Sequence, residues 1–207
     1  RRFHRFLDRI GVKSEADAEG CRRLGADPEK IKVVGEMKYD LEFLRLSDGE
    51  RRGMRRTLGI PPDAPVFVAG SVRAGEDDVI LEAFRRVREH HPGFRLLMAP
   101  SYYSNTLKLD EVFSKAGLDY QMQTALDAGD APRDAVIIVD TFGGLGRLYG
   151  IGTVNFVGAS IIPKGRLAFG HNPIEPLVHG RPLLFGPHMN HWGEVTEILL
   201  AADPGLQ

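Results

Sequence analysis

From Pro65 onward the chain alternates short, continuous apolar runs with amphipathic stretches. Val66-Phe67-Val68-Ala69-Gly70, Phe94 to Ala99, Ala135 to Asp140, Thr153 to Gly158 and Leu183 to Phe185 read as buried strands, with Ala135 to Asp140 as a strong central one. Val79 to His90 places Leu81, Phe84 and Val87 on one side, the 3.6-residue period of a helix. Leu107 to Ala116, Leu145 to Tyr149 and Trp192 to Ala201 read as further helices, and Tyr120 to Thr124 as a short edge strand. Strands that are apolar on both faces and alternate with amphipathic helices predict an α/β fold, a parallel sheet with helices on both faces. Upstream, Ser14-Glu15-Ala16-Asp17 has capping-box spacing and opens a helix to about Leu24, with Gly25 as its C-cap. A short strand is expected at Ile31 to Gly35 and a polar helix at Leu46 to Leu58. Asp40 to Ser47 is the linker candidate ahead of the doubly wound part.

Composition narrows the partners. The net charge of −1 over 207 residues gives no global field for nucleic acid. No apolar run approaches the roughly 20 residues of a membrane span. The single cysteine, Cys21, excludes a disulfide framework, points to a reducing compartment and reads as structural. Arg1 to Arg9 is basic and reads as a solvated helix end; the alternative is a surface that approaches anionic lipid. Arg51, Arg52, Arg55 and Arg56 form a basic helix face, read as solvated. A first residue other than Met and the absence of an evident closing helix suggest a piece of a longer protein.

Open α/β sheets bind ligands beyond the carboxyl ends of their strands, so the chemistry is sought there. Gly70-Ser71-Val72-Arg73-Ala74-Gly75-Glu76 is a Gly-rich turn with a hydroxyl and an arginine, a composition that can cradle phosphate. It is neither a P-loop nor a dinucleotide fingerprint, and a turn merely capped by Ser71 reads as well. Asp140-Thr141-Phe142-Gly143-Gly144 offers a cap for the next helix or a close backbone approach to a ligand. Gly170-His171-Asn172-Pro173-Ile174-Glu175-Pro176 lies between two strands and opens a helix whose N-terminus suits an anion, with Glu175 free to hold sugar hydroxyls. His171, His188 and His191 share two loops, but no metal motif supports them and no metal is expected.

These residues carry a resemblance. Ser14-Glu15-Ala16-Asp17-Ala18, Val34-Gly35-Glu36-Met37-Lys38-Tyr39-Asp40, Ala69-Gly70-Ser71, Asp140-Thr141-Phe142-Gly143, Phe156-Val157-Gly158-Ala159-Ser160, and His171 to Pro176 through Gly186-Pro187-His188 resemble the 3-deoxy-D-manno-octulosonic acid (Kdo) transferases of lipid A assembly, in that family's order. The resemblance implies one Rossmann-like half of a GT-B fold. Residues 1–40 would be the tail of an N-terminal acceptor domain and the interdomain crossing. Residues 41–207 would be the C-terminal donor domain, truncated at its end.

It further implies CMP-Kdo as donor, no cofactor or metal, and a lipid A precursor as acceptor at the cytoplasmic face of the bacterial inner membrane. By similarity Glu175 would hold the ribose, His171 and Asn172 would border the phosphate or the Kdo carboxylate, and backbone near Ser71 would stabilise phosphate charge. Lys38 and Arg73 would be further anion partners, and Asp140, Phe142 and Gly143 would line the nucleotide site. The general base would lie in the acceptor domain. This chain departs from the family's pattern at Ser101-Tyr102-Tyr103, where the family has Arg-His, at Gly144, where it has Glu, and in an insertion, Arg166 to Phe169, whose Arg166 could replace the lost cation. A GT-B enzyme acting on a UDP-sugar and a diverged nucleotide-binding module without catalysis stay open as alternatives.

Overall fold

The structure, a computed structural model, describes residues 6–36, 39, 45–101, 109–126, 135–163 and 170–202. Lys38, Tyr102, Tyr103, the Arg166 to Phe169 insertion and most of the linker candidate lie outside the described residues. The chain divides into two units, Arg1–Leu41 and Glu42–Gln207.

The first unit is a βαβ piece. β1 (Ile10–Val12) and β2 (Ile31–Val33) pair in parallel, and α1 (Glu15–Arg23) connects them. Ser14 caps α1 by accepting from the Asp17 amide at 3.2 Å. β1 begins just past the Arg1 to Arg9 stretch that reads as a helix end, at residues for which the sequence reading gave no strand.

The second unit opens with α2 (Asp48–Thr57), whose Ser47 and Glu50 form a reciprocal capping box. β3 (Val66–Val72), α3 (Glu76–His90), β4 (Arg95–Pro100), α4 (Leu109–Ala116), β5 (Gln121–Met122), β6 (Val136–Ile138), α5 (Leu145–Leu148), β7 (Val154–Val157), α6 (Ile174–Leu177), β8 (Leu183–Phe185) and α7 (Gly193–Ala202) follow. The six strands form one parallel sheet in the order β5-β6-β4-β3-β7-β8. β6 is interior but not central; β3 and β4 hold the middle.

Alternation along the strands divides the core. Phe67, Ala69, Leu96, Met98, Val136, Ile138 and Phe156 face α3 and α4, where Phe84 and Phe113 are buried with them. Their neighbours Val68, Leu97, Ile137 and Val157, also with no exposed surface, turn to the other face. There Tyr149 and Ile151, in the 3₁₀ turn after α5, are buried as well. Burial of a strand on both faces is the reason its sequence is continuously apolar rather than alternating.

After β3 the chain winds to one side through β4, β5 and β6, then crosses back to lay β7 against the other flank of β3. The strand order therefore reverses between β3 and β7. That reversal opens a crevice at their carboxyl ends.

Candidate functional site

Among the described residues, two other than glycine adopt left-handed backbone, and both stand at this crevice: Ser71 (φ 57°) and Ala159 (φ 59°). Each costs about 1–2 kcal/mol against ordinary backbone, so the surroundings must enforce both. Ser71 sits in a register shift between Ala69 and Val72 near the end of β3. Gly158, the residue after β7, lies so close that a Cβ there would collide with the Ser71 carbonyl.

Glu76 supplies the enforcement. Its side chain has no exposed surface. Its carboxylate accepts from the amides of Arg73 (2.9 Å), Ala159 (2.7 Å), Ser160 (2.8 Å) and Ile161 (2.8 Å). Charge-assisted bonds of this kind are roughly twice as strong as neutral ones, and four of them satisfy a buried carboxylate. One residue at the start of α3 thereby ties the β3 turn to the loop after β7. Sequence reading placed Glu76 in the turn but began the helix at Val79, and three successive acids gave no sign that the first is buried.

The loop after β7 in turn holds the second motif. Gly170 and His171 donate their amides to the carbonyls of Ala159 (3.0 Å) and Gly158 (3.2 Å), and the His188 amide donates to Ser160 (2.9 Å). Ser160 Oγ donates to Val157 O and accepts from the Gly186 amide. Ser71, Arg73 and the Gly170–Glu175 loop thus meet around one crevice. His171 Nε2 shares a 3.1 Å hydrogen bond with Ser101 Oγ, the position where the resemblance expects a cation. Burial first, and then the nearby Arg73 charge, push the His171 imidazole below its ordinary value, while Glu76 opposes.

Asn172 Oδ1 accepts from the Ile174 amide at 3.0 Å, and its Nδ2 donates to Glu175 Oε1 at 3.3 Å. Glu175 is therefore oriented by Asn172 at the rim. α6 itself is a single turn, Ile174–Leu177. The amides nearest the expected anion sites are partly used within the protein: Ile174 by Asn172, Gly75 by Asp77 (2.6 Å) and Arg73 by Glu76. Neither helix start is thus an open anion cradle of the expected kind. Nor does Ser71 cap α3, whose N-cap is Gly75 with φ 94°.

Asp140 does not cap α5 either; Gly144 is the N-cap, without a side-chain bond. Asp140 instead accepts from the Thr124 amide at 3.0 Å and from its hydroxyl, tying β6 to the turn after β5. Asp140, Phe142 and Gly143 line, with Ser71 and Ser101, a cavity of about 190 Å³. Phe142 is 87% exposed at its mouth. Gly143 adopts φ 82°. A side chain at Gly144 would meet only Thr141 Oγ1, at 4.0 Å, so nothing in the fold forbids a carboxylate there. Among the described residues no three His, Cys, Asp or Glu side chains group as metal ligands, and no helix is long and apolar enough to cross a membrane.

No family model matches the chain. It is 32% identical over 197 residues to the "Bifunctional glycosyltransferase/methyltransferase" of Fusobacterium nucleatum, covering 95% of this chain and 29% of that protein. It is 34% identical over 205 residues to the 3-deoxy-D-manno-octulosonic acid transferase of Chlamydophila psittaci, covering 99% of this chain and 45% of that protein. By sequence the chain belongs to the Kdo transferase family. It spans less than half the length of these curated relatives. The crystal structure of the C-terminal CMP-Kdo binding domain of WaaA from Acinetobacter baumannii superposes with a TM-score of 0.65 at 20% identity, covering 78% of this chain and 79% of that one. At that identity the likeness is one of fold: an α/β, Rossmann-like half of the GT-B type.

Proposed function

We propose that this chain is the donor-binding part of a Kdo transferase, holding CMP-Kdo while its sugar passes to a lipid A precursor in lipopolysaccharide assembly. The parent enzyme would work peripherally at the cytoplasmic face of the bacterial inner membrane. Residues 41–207 would form the donor domain and residues 1–40 the end of the acceptor domain. The observation that carries the reading is the convergence of Ser71, Arg73 and the His171–Glu175 loop on the crevice between β3 and β7, in a chain of this family.

In the reaction an acceptor hydroxyl attacks the anomeric carbon, and the bond to the CMP phosphate breaks with its electron pair leaving on phosphate. The hydroxyl proton goes to a base outside this chain. Arg73 and the polar groups of Ser71, His171 and Asn172 would meet the growing phosphate charge, and fixed dipoles aimed at developing charge are an effective source of rate. Glu175, steadied by Asn172, would accept from the ribose hydroxyls. Asp140, Phe142 and Gly143 would line the nucleotide side, and Lys38 would be a further anion partner. The cavity of about 190 Å³ is smaller than the roughly 300–1,000 Å³ of complete small-molecule sites, as suits half of a two-domain cleft.

Calorimetric titration of the chain with CMP and UMP tests this. CMP is expected to bind selectively, and Glu175→Ala to weaken it about tenfold with the fold intact, the loss of one charge-assisted bond. Preference for UMP would replace the donor by a UDP-sugar. Unchanged CMP affinity in folded Glu175→Ala would remove Glu175 from the ribose.

A further inference from the structure

A more capacious cavity, about 800 Å³, lies at the opposite edge of the same sheet, lined by Arg51, Arg52, Arg55, Arg56 and Arg181 around Ile60 and Pro61. Its walls come from α2, from the loop that leads into β3, and from the residue two before β8. That is the amino edge, separated from the crevice by the seven-residue length of β3, on the order of 20 Å.

The arginines here divide by task. Arg55, 9% exposed, is a strut: it donates to the carbonyls of Ile151 (3.2 Å), Pro61 (2.9 Å) and Ala64. Arg51 donates to Gly150 O at 3.1 Å and pairs with Asp48 at 2.9 Å. Arg52 and Arg56 are exposed, and among the described residues no carboxylate pairs with either or with Arg181. The Nε atoms of Arg55 and Arg181 are buried without a hydrogen-bond partner among the described residues. Five guanidinium groups thus share one concavity; among the described residues Asp48 pairs with Arg51 and Asp63 acts on Arg55. Burial depresses the Arg55 guanidinium, Asp63 opposes, and Arg181 and Arg51 depress it further, so the cluster is self-repelling as it stands. Like charges gathered in a concavity focus a positive potential, and planar guanidinium forks match phosphate oxygens.

We propose that this arginine pocket is a second anion site, distinct from the donor crevice, that holds a phosphate-bearing group at the amino edge of the sheet. Arg52, Arg56 and Arg181 would supply the charge, and Arg55 would fix the geometry by holding α2 to the loops beneath. The group could be a free phosphate compound or a phospholipid head. Both present the same oxygens.

The test uses inorganic pyrophosphate, titrated calorimetrically into the full chain, beside the doubly charge-reversed Arg52→Glu/Arg56→Glu and the crevice variant Arg73→Ala. Both changed arginines of the double variant are exposed, and its melting curve serves as the fold check. Saturable binding that survives Arg73→Ala and falls about 100-fold in the double variant is expected, two charge-assisted contacts at about tenfold each. Binding lost in Arg73→Ala but kept in the double variant belongs to the crevice and overturns the proposal, as does the absence of any binding to pyrophosphate or vesicles. Co-sedimentation with phosphatidylcholine vesicles separates the sources. Retention that requires added phosphatidylglycerol and vanishes in the double variant assigns the site to a lipid head. Pyrophosphate binding without such retention assigns it to a soluble phosphate compound.

Discussion

At the scale of single residues, the crevice is governed by side chains that act on backbone. Glu76 spends its whole hydrogen-bonding capacity on main-chain amides, and so keeps Ser71 and Ala159 in conformations they would otherwise leave. His171 illustrates the electrostatics. Its neighbours Arg73 and Ser101 are a cation and a hydroxyl, and the ring is partly buried. A histidine whose folded value lies below the unfolded one binds fewer protons in the native state, so it stabilises the fold above about pH 6.5. That contribution is lost as the pH falls through the depressed folded value. In an NMR titration the His171 ring should therefore begin to titrate only below its ordinary range. Arg73→Ala should move that midpoint upward, because a repelling charge has gone while Glu76 stays. A midpoint unchanged by Arg73→Ala would mean that burial alone sets it, and would weaken the case for Arg73 facing the same crevice.

At the scale of elements, the approach of β7 to β3 sets the tolerance of the site. A Cβ on Gly158 would strike the Ser71 carbonyl and stand 2.8 Å from the Val72 amide, both of them backbone that cannot turn aside. Gly53, inside α2, has nothing within 4 Å of its would-be Cβ. Gly158→Ala should destabilise by about 3 kcal/mol, the upper range of overpacking, and Gly53→Ala should stabilise by about 0.8 kcal/mol through helix propensity. Opposite shifts in chemical denaturation would check both; a neutral Gly158→Ala would show that β3 and β7 can part. The elements themselves were largely legible. Strands β3, β4 and β6 announced themselves because burial on both faces makes them continuously apolar; β7 carries the buried Asn155 and edge strand β8 leaves Leu184 exposed, and these two show only as short, mostly apolar runs. The failures have physical causes. α3 begins three residues before Val79 because Glu76 is buried against backbone donors, which composition cannot show. α6 is one turn, with Pro176 inside it and without an amide hydrogen to extend the ladder. β1 is three residues with a central glycine beside a basic stretch. The motif loops could be read from the strand-end rule, whereas the Ser101–His171 bond and the Asp140–Thr124 tie join positions far apart in sequence and had no local signal.

At the scale of the molecule, the two units differ in what they can bury. The six-stranded sheet and both of its hydrophobic faces belong to Glu42–Gln207, and so do both anion sites argued above. Arg1–Leu41 has a two-stranded sheet, one nine-residue helix and, among its described residues, Ala18 and Ala26 as the buried apolar side chains. A two-stranded sheet is at best marginal in water, and a piece of this size rarely holds a core by itself. A chain beginning at Glu42 should therefore unfold cooperatively with a melting midpoint close to that of the full chain, while residues 1–41 alone should show no cooperative transition by circular dichroism. Comparison of the chain beginning at Glu42 with the full chain also tests Lys38, which belongs to the first unit and which the resemblance assigns to the donor site. If Lys38 meets the donor phosphate, the chain beginning at Glu42 should bind CMP about tenfold more weakly than the full chain, the worth of one charge-assisted contact. Equal affinity would leave Arg73 as the crevice's cation and release the first unit from any part in holding the nucleotide.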